Sequence, residues 1–199
     1  VYFACAPERV NPGDAIWNQK NTPRLVGGID QESQIRALAF YNSICDAVVA
    51  VSNPEVAEAA KLLENTFRLV NIALINEFTQ ICSASGINVH EVINAAASKP
   101  YGFMPFNPGP GVGGHCIPVD PSYLAHVANQ VGIPATFIKR ANEVNLAMPA
   151  YVVKRVVAGS GGTIAGKSVV VVGVSYKANV ADTRETPAAA VIDLLRAQG

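Results

Sequence analysis

The chain has 199 residues, half of them hydrophobic, and its acidic and basic side chains are equal in number, so the formal net charge is zero. This length predicts one or two domains with a sizeable core, and the lack of a basic excess argues against nucleic acid or an anionic membrane surface as a partner. No apolar run is long enough to cross a membrane. The four cysteines are widely spaced, which predicts neither a zinc site nor a disulfide framework and favours a reducing cytoplasm.

The first 52 residues predict the end of an α/β domain. Residues 1–6, 24–28 and 47–51 are typical of short strands, and residues 31–45 are typical of an amphipathic helix. This strand–helix–strand order favours parallel strands. Because the chain begins inside a strand pattern and stops directly after a helix pattern, we expect it to be a fragment.

An acidic residue follows the first predicted strand. Glu8 lies at the carboxyl end of residues 1–6, which is where α/β sheets place groups that contact ligands. The alternative is an ordinary surface carboxylate in a turn. The sequence leaves both possibilities open for Glu8.

Residues 53–158 predict an all-helical segment. Residues 52–55 (Ser-Asn-Pro-Glu) have the polar cap, early Pro and early Glu of a helix start, and no further Gly or Pro occurs before Gly86. One helix of roughly 30 residues, about 45 Å long, is therefore expected. Further helices are predicted over residues 89–97, 121–131 and 135–157. Since long helices that are apolar on more than one face commonly pack against a second copy, we expect a homodimer formed through the long helix.

Two stripes at helical spacing run along the predicted long helix. The stripe expected in the core consists of Leu63, Phe67, Val70 and Leu74. The other stripe contains Lys61 and Asn65, which share one face. Such a pair is either solvated surface or points into a site.

The stretch from Gly109 to Pro121, Gly-Pro-Gly-Val-Gly-Gly-His-Cys-Ile-Pro-Val-Asp-Pro, is unusually rich in glycine, which lets a backbone approach a ligand closely. Its Gly-x-Gly-x-x-Gly spacing is not a dinucleotide fingerprint, because the three prolines in residues 99–108 exclude the preceding strand. Asp120 and Pro121 predict a helix start, so Cys116 is expected just before a helix N-terminus, where a thiolate is favoured. The alternative is a buried, unreactive Cys116 with Asp120 as a cap only.

Residues 159–199 predict the start of a second α/β domain after a glycine-rich linker. Residues 167–172 contain a β-branched run typical of a buried parallel strand, and a helix is expected over residues 187–198. Lys177 and Arg184 lie in the loop between them, where an anionic ligand would bind.

Four blocks of sequence resemble the UDP-glucose/UDP-mannosamine dehydrogenase family of nucleotide-sugar 6-dehydrogenases. They are residues 6–13 (Ala-Pro-Glu-Arg-Val-Asn-Pro-Gly), 61–68 (Lys-Leu-Leu-Glu-Asn-Thr-Phe-Arg), 109–121 and 173–187. The resemblance covers nearly the whole chain and implies an α/β protein with Rossmann-like terminal domains, both truncated here, joined by a helical dimerising middle domain. The implied parts are an NAD-binding remainder (residues 1–52), the central domain (53–158) and the start of a UDP-binding domain (159–199).

The resemblance also implies a reaction. Members of the family oxidise the hydroxymethyl group of a UDP-sugar to a carboxylate with two NAD. Cys116 would be the nucleophile that holds the aldehyde as a thiohemiacetal and then as a thioester. Lys61 and Asn65 would stabilise the oxyanion. Asp120 would assist proton transfer through water, and Glu8 would assist thioester hydrolysis.

Residue-by-residue matching implies further contacts. The residues matched to the UDP-sugar site are Glu8, Arg9, Lys61, Asn65, Phe106, Asn107, Gly109, Gly113 and Lys177. Arg184 and Gly114 would face NAD. The resemblance implies no metal ligand.

Three positions depart from the UDP-glucose members. Val119 stands where those members often carry Lys, Pro12 stands where they carry a second acid, and residues 99–100 (Lys-Pro) lie where a partner subunit supplies an Arg. The sequence around residues 100–106 and the His-Cys-Ile-Pro-Val-Asp stretch look more like members acting on N-acetylated sugars. UDP-N-acetylglucosamine is therefore expected first, with UDP-N-acetylmannosamine and UDP-glucose behind it.

Three alternatives to this function use the same residues differently. A Cys–His hydrolase would use His115 or His126, but adjacent side chains diverge in an extended loop. A metal site built from His115, Cys116, Asp120 and His126 matches no usual zinc spacing. The third alternative is a non-catalytic dimerising and substrate-recognising module, since the chain contains no NAD fingerprint.

Overall fold

The computed structural model of the protein describes residues 1–199 as two compact units, Val1–Asn65 and Thr66–Gly199. The strands are β1 (Ala4–Cys5), β2 (Arg24–Gly28) and β3 (Val48–Ala50). The helices are α1 (Gln31–Asn42), α2 (Pro54–Ala84), α3 (Val89–Ala97), α4 (Cys116–Gln130), α5 (Thr136–Gly159) and α6 (Pro187–Arg196). The domain boundaries implied by the resemblance, after residues 52 and 158, remain a prediction.

The first unit contains a three-stranded sheet in the order β1-β2-β3. β2 and β3 are parallel, with Arg24 opposite Val48, whereas β1 runs antiparallel to β2, with Ala4 opposite Gly28. The prediction of parallel strands is therefore correct for β2 and β3 and wrong for β1. Parallel neighbours need a crossover, usually a helix, and the segment between β1 and β2 contains none.

α2 confirms the predicted long helix, since it runs for 31 residues. The prediction for its core stripe is wrong for Leu63, Phe67 and Leu74, which are 64%, 47% and 61% exposed, whereas Val70 packs against the core. The buried positions lie on the adjacent stripe, at Thr66, Leu69, Ala73 and Asn76. Both stripes have helical spacing, and only the neighbouring helix decides which one is covered.

Two clusters of buried side chains form the core of the second unit. The first joins α2 to α5 through Leu69, Ala73, Ala141 and Val144, and Val112 and Ile117 pack against it. The second joins the end of α2 to α3 through Ile75, Cys82, Val89 and Ile93. The glycine-rich stretch thus enters α4 over the first cluster.

α4 begins at Cys116, one turn earlier than the predicted start at Asp120 and Pro121. His115 already has helical backbone angles, and Pro118 lies in the first turn, where its missing N–H costs no helical hydrogen bond. Pro121 lies inside the helix and is buried. Asp120 and Pro121 therefore have the sequence pattern of a helix start, but the helix begins four residues earlier, at Cys116.

The segment predicted as a buried parallel strand, residues 167–172, forms no strand. Val170 and Val172 are 84% and 92% exposed. A β-branched run becomes a strand only where a neighbouring strand accepts and donates its ladder hydrogen bonds, and no other segment of this chain pairs with it.

Candidate active site

Cys116 is the exposed cysteine of the four, and it is the first residue of α4. Asp120 follows it by one helical turn and is partly exposed. Residues four apart on a helix lie on the same face, with about 5–6 Å between their Cβ atoms. The backbone amides of the first turn, which have no partner within the helix, lie at this end. The structure therefore places a thiol and a carboxylate side by side at the positive end of a helix.

Gly113 and Gly114 lie directly against the segment before α6. A Cβ on Gly113 would be 2.6 Å from Tyr176 Cβ and 2.8 Å from the Glu185 carbonyl oxygen. Gly114, with φ of +84°, is buried under the Tyr176 ring, which a Cβ would approach to 3.0 Å. The atoms closest to these two glycines belong to Tyr176, Glu185 and Pro187 of the same chain. That packing explains why the stretch tolerates no side chain there.

The start of the glycine-rich stretch is held by two asparagines that sequence analysis missed. The Gly109 amide donates to Asn76 Oδ1 at 2.9 Å, and Asn76 Nδ2 donates to Asn145 Oδ1 at 2.9 Å. Asn76 is 0% and Asn145 is 3% exposed. A signal for Asn76 was present in the sequence: it lies three residues after Ala73 and seven after Leu69, on the buried face of α2. A polar side chain at such a core position needs a hydrogen-bonding partner.

Arg184 forms a local ion pair with Asp182. Its guanidinium donates to the carboxylate at 2.7 Å, and its backbone amide donates at 3.0 Å. These contacts, the side chain first, lower the pKa of Asp182 to about 2. The Arg184 side chain is still 69% exposed, so its remaining N–H groups face solvent. Lys177, in the same segment, is half-buried.

In the first unit, arginines hold the turn that contains Glu8 and Arg9. Arg24, buried at the start of β2, donates to the Pro7 carbonyl at 3.0 Å and to Glu8 Oε2 at 3.1 Å. Arg9 donates to Glu64 Oε1 at 2.8 Å and to the Pro23 carbonyl at 2.9 Å. Arg24 and Glu64 were not predicted, because nothing in their spacing marks them as partners of this turn.

The charge of Glu8 is fixed by these contacts. Partial burial by itself raises the pKa of Glu8, but hydrogen bonds from the Val10 amide and the Arg24 guanidinium outweigh it, so the pKa lies below its ordinary value. Glu8 is therefore an ionised carboxylate at neutral pH. The Glu8 carboxylate can therefore act as a base or as a hydrogen-bond acceptor.

The other predicted site residues lie on α2 and in the segment before Gly109. Lys61 and Asn65 are one turn apart on α2; Lys61 is partly buried and Asn65 is 5% exposed. Phe106 packs edge-on against Phe67, with 6.0 Å between ring centroids, and Asn107 is exposed. The burial of Asn65 distinguishes this pair from an ordinary solvated face.

The hydrolase and metal alternatives both draw on His115 and His126. No group of three or more His, Cys, Asp and Glu side chains is arranged to hold a metal ion. The His126 ring lies 3.0 Å from Gln130 Nε2, within its own helix. Among the helices, none combines the length and the apolar character that a membrane span requires.

Comparison with known proteins matches residues 55–147 to the central domain of the UDP-glucose/GDP-mannose dehydrogenase family. A UDP-N-acetyl-D-mannosamine dehydrogenase from Methanococcus vannielii is 41% identical over 196 residues, which are 98% of this chain and 45% of the relative. The chain thus spans about half the length of the curated relatives it matches.

Solved structures agree with this match. A UDP-D-ManNAc dehydrogenase from Pyrococcus horikoshii superposes with a TM-score of 0.87 at 32% identity, over 99% of this chain and 47% of that one. A UDP-glucose dehydrogenase from Pyrobaculum islandicum gives 0.85 at 27% identity, over 100% and 46%. The same architecture is therefore found in proteins named for two different sugars.

Replacing Gly113 by Ala tests the packing of the glycine-rich stretch. We expect Gly113→Ala to destabilise the protein by about 1–3 kcal/mol, because the new methyl group overlaps Tyr176 and Glu185. Gly109→Ala is the matched control, since its Cβ would meet nothing closer than 3.9 Å. Denaturant unfolding of both variants gives the comparison. Equal stability of the two would contradict the close packing.

Proposed function

Because residues 55–147 belong to the central domain of the UDP-glucose/GDP-mannose dehydrogenase family, we propose that the protein containing this chain oxidises the hydroxymethyl group of a UDP-sugar to a carboxylate, with NAD as the oxidant. The observation that carries the proposal is the exposed Cys116 at the first turn of α4, one turn before Asp120. The chain spans about half of its relatives, so the activity is assigned to the whole protein.

The proposed chemistry uses Cys116 as a covalent catalyst. Its thiolate adds to the carbonyl carbon of the aldehyde, and after loss of a hydride the carbon is held as a thioester. Water then breaks the C–S bond, which releases the carboxylate and returns the thiol. NAD, when bound, accepts the hydride at each oxidation. Covalent capture keeps the aldehyde on the protein between the two oxidations.

Proton and charge handling are assigned to four side chains. Asp120, on the same face of α4 as Cys116, assists proton transfer through water. Lys61 and Asn65 supply an ammonium and an amide donor for the oxyanion. Glu8, kept ionised by Arg24, assists thioester hydrolysis.

Binding roles follow the same assignment. The residues proposed to contact the sugar nucleotide, beyond those just named, are Arg9, Phe106, Asn107, Gly109, Gly113 and Lys177. Arg184 would hold an anionic group of NAD through its exposed guanidinium. Gly114 is covered by Tyr176, so it contributes to this region by letting the two segments pack closely.

The sugar is proposed from the relatives. Sequence features alone favour UDP-N-acetylglucosamine, but the relative at 41% identity and the structure at 32% identity are both named for N-acetylmannosamine. We therefore place UDP-N-acetylmannosamine first and UDP-N-acetylglucosamine second. UDP-glucose comes third, supported by a structure at 27% identity.

A homodimer is proposed from the exposed face of α2. Apolar side chains recur along it at helical spacing, and their exposed fractions lie between 42% and 64% at Val56, Leu63, Phe67, Leu74 and Ile81. A face of this length left in water is costly, since each buried Å² of apolar surface contributes about 25 cal/mol. The same face of a second copy, related by a two-fold axis, would cover it.

The first experiment follows NADH formation by the intact protein with UDP-N-acetylmannosamine, UDP-N-acetylglucosamine and UDP-glucose in parallel. We expect two NADH per sugar, and the highest kcat/KM with UDP-N-acetylmannosamine. A single NADH per sugar would contradict the four-electron oxidation. Absence of NADH with all three sugars would sink the proposed function.

Cys116→Ser isolates the nucleophile. We expect turnover to fall by at least about 10³-fold, because the hydroxyl is a far weaker nucleophile than the thiolate, while UDP-sugar binding stays within a few-fold of the wild type. Cys5→Ser is the control for loss of a thiol elsewhere, and it should turn over normally. Calorimetric binding and steady-state NADH kinetics measure the two effects. Near-normal turnover by Cys116→Ser would remove the assignment.

Charged residues on the exposed face of α2 test the dimer. We expect the double variant Leu63→Glu, Leu74→Glu to sediment as a monomer at micromolar concentration while the wild type sediments as a dimer, because four like charges would meet across a two-fold interface. Leu146→Glu, at a position that is 71% exposed on α5, is the control. A wild-type monomer, or a dimer that tolerates both charges, would contradict the interface.

A further inference from the structure

We infer that Asn76 and Asn145 are positioning residues that fix the glycine-rich stretch and, through it, Cys116. They act through the backbone at Gly109, whose amide donates to Asn76. The anchoring of Gly109 rests on hydrogen bonds seen in the structure. Only its catalytic consequence rests on the proposed function.

The hydrogen bonds of this pair can run in one direction only. The Gly109 amide is a donor, so Asn76 must present Oδ1 to it, which leaves Nδ2 to face Asn145. Asn145 must then present Oδ1, and its own Nδ2 donates to the Leu69 carbonyl at 3.2 Å. Turning either amide would place two donors or two acceptors together. Each side chain therefore fixes the orientation of the next.

Burial makes the arrangement obligatory. Both side chains are almost completely removed from solvent, so no water replaces a lost partner. A buried donor or acceptor without a partner loses its solvation without compensation, which is more costly than the bond itself is favourable. The Gly109 backbone is thus held at one point on α2, with a second helix, α5, supporting that point.

The path from this point to Cys116 is short and tightly packed. Gly111 passes over α5 so closely that a Cβ on it would be 2.9 Å from the Asn145 carbonyl oxygen. Gly113 then meets Tyr176, and α4 begins at Cys116. Because the chain is confined at Gly111 and again at Gly113, the backbone at Cys116 has little freedom to move independently of Gly109. A shift at Gly109 is therefore expected to reach the thiol.

Asn76→Asp turns this arrangement into a pH-dependent one. A neutral carboxyl group has one acceptor and one O–H donor, so it can replace the Asn76 amide. A carboxylate has no donor and would oppose Asn145 Oδ1 with a second acceptor. Burial favours the neutral form, so the introduced group has a raised pKa. The anchor is then present at low pH and is lost as pH rises through that pKa.

The experiment compares the intact wild type with Asn76→Asp at pH 5 and pH 8, by mass spectrometry. Two rates are measured, amide hydrogen exchange in the peptide containing Gly109 and alkylation of Cys116 by iodoacetamide. Both are expressed as the ratio of variant to wild type. We expect ratios near one at pH 5 and of about fivefold or more at pH 8. Asn94→Asp adds the same charge at an exposed position on α3 and should give ratios near one throughout.

Three outcomes would overturn the inference. Ratios that stay near one at pH 8 for Asn76→Asp and also for Asn76→Leu, which has no hydrogen-bonding group at any pH, would show that the anchor is dispensable. Faster exchange at Gly109 with unchanged alkylation would show that Cys116 is positioned independently. An equal rise in exchange across α3 would mean general unfolding rather than local release. Asn145→Asp, whose neutral carboxyl can still donate to Leu69, provides a second variant that should show the same reversal.

Neither rate depends on turnover, so the two proposals can fail separately. If no UDP-sugar yields NADH, the pH response of Asn76→Asp still tests the anchor. If that response is absent, Cys116 can still be the nucleophile. Where both hold, the kcat of Asn76→Asp relative to the wild type should fall between pH 5 and pH 8, while Asn94→Asp follows the wild type.

Discussion

The second unit depends on one steric constraint: two chain segments cross closer than side chains allow. The stretch before α4 lies against Tyr176 and the Glu185 carbonyl at distances that leave no room for a Cβ at Gly113. Glycine at this position is therefore required by the fold. The same close crossing brings the segment containing Arg184 next to the residues that lead into Cys116. Packing and the proposed chemistry share these glycines, which is why glycine density alone does not reveal a ligand.

The first unit meets a different constraint, which is electrostatic. Arg24 is buried at the start of β2, and a buried guanidinium needs partners. It finds them in the Pro7 carbonyl and Glu8, and Arg9 is held in the same way by Glu64 and the Pro23 carbonyl. The turn that follows β1 is thus fixed without secondary structure of its own. The Glu8 carboxylate stays ionised because the Val10 amide and the Arg24 guanidinium donate hydrogen bonds to it, and Arg24 is itself held at the start of β2.

Local signals in the sequence predicted α2, α3 and the β2–β3 pair, because caps, glycines and β-branched runs act within a few residues. They failed where a neighbour decides the outcome. Leu69 and Leu74 belong to stripes of equal quality, and α5 selects the first. Residues 167–172 have the composition of a strand but no pairing partner in the chain. Among the residues of the candidate site, Cys116 and Asp120 were predicted from a sequence motif, whereas Asn76 and Asn145 form a hydrogen-bonded pair, 69 residues apart, that no local pattern reveals.

The position of the start of α4 changes what Cys116 and Asp120 can do together. A loop cysteine followed by a helix-capping aspartate would have a thiol and a carboxylate on unrelated backbone, with the carboxylate engaged by amides of its own helix. With α4 beginning at Cys116, both side chains project from the first turns of one helix, at the end where its backbone amides are free. Pro118 suits this start because it needs no backbone donor. The spacing Cys-x-x-x-Asp is then a property of the helix itself, so the relative position of the two groups does not depend on a flexible loop.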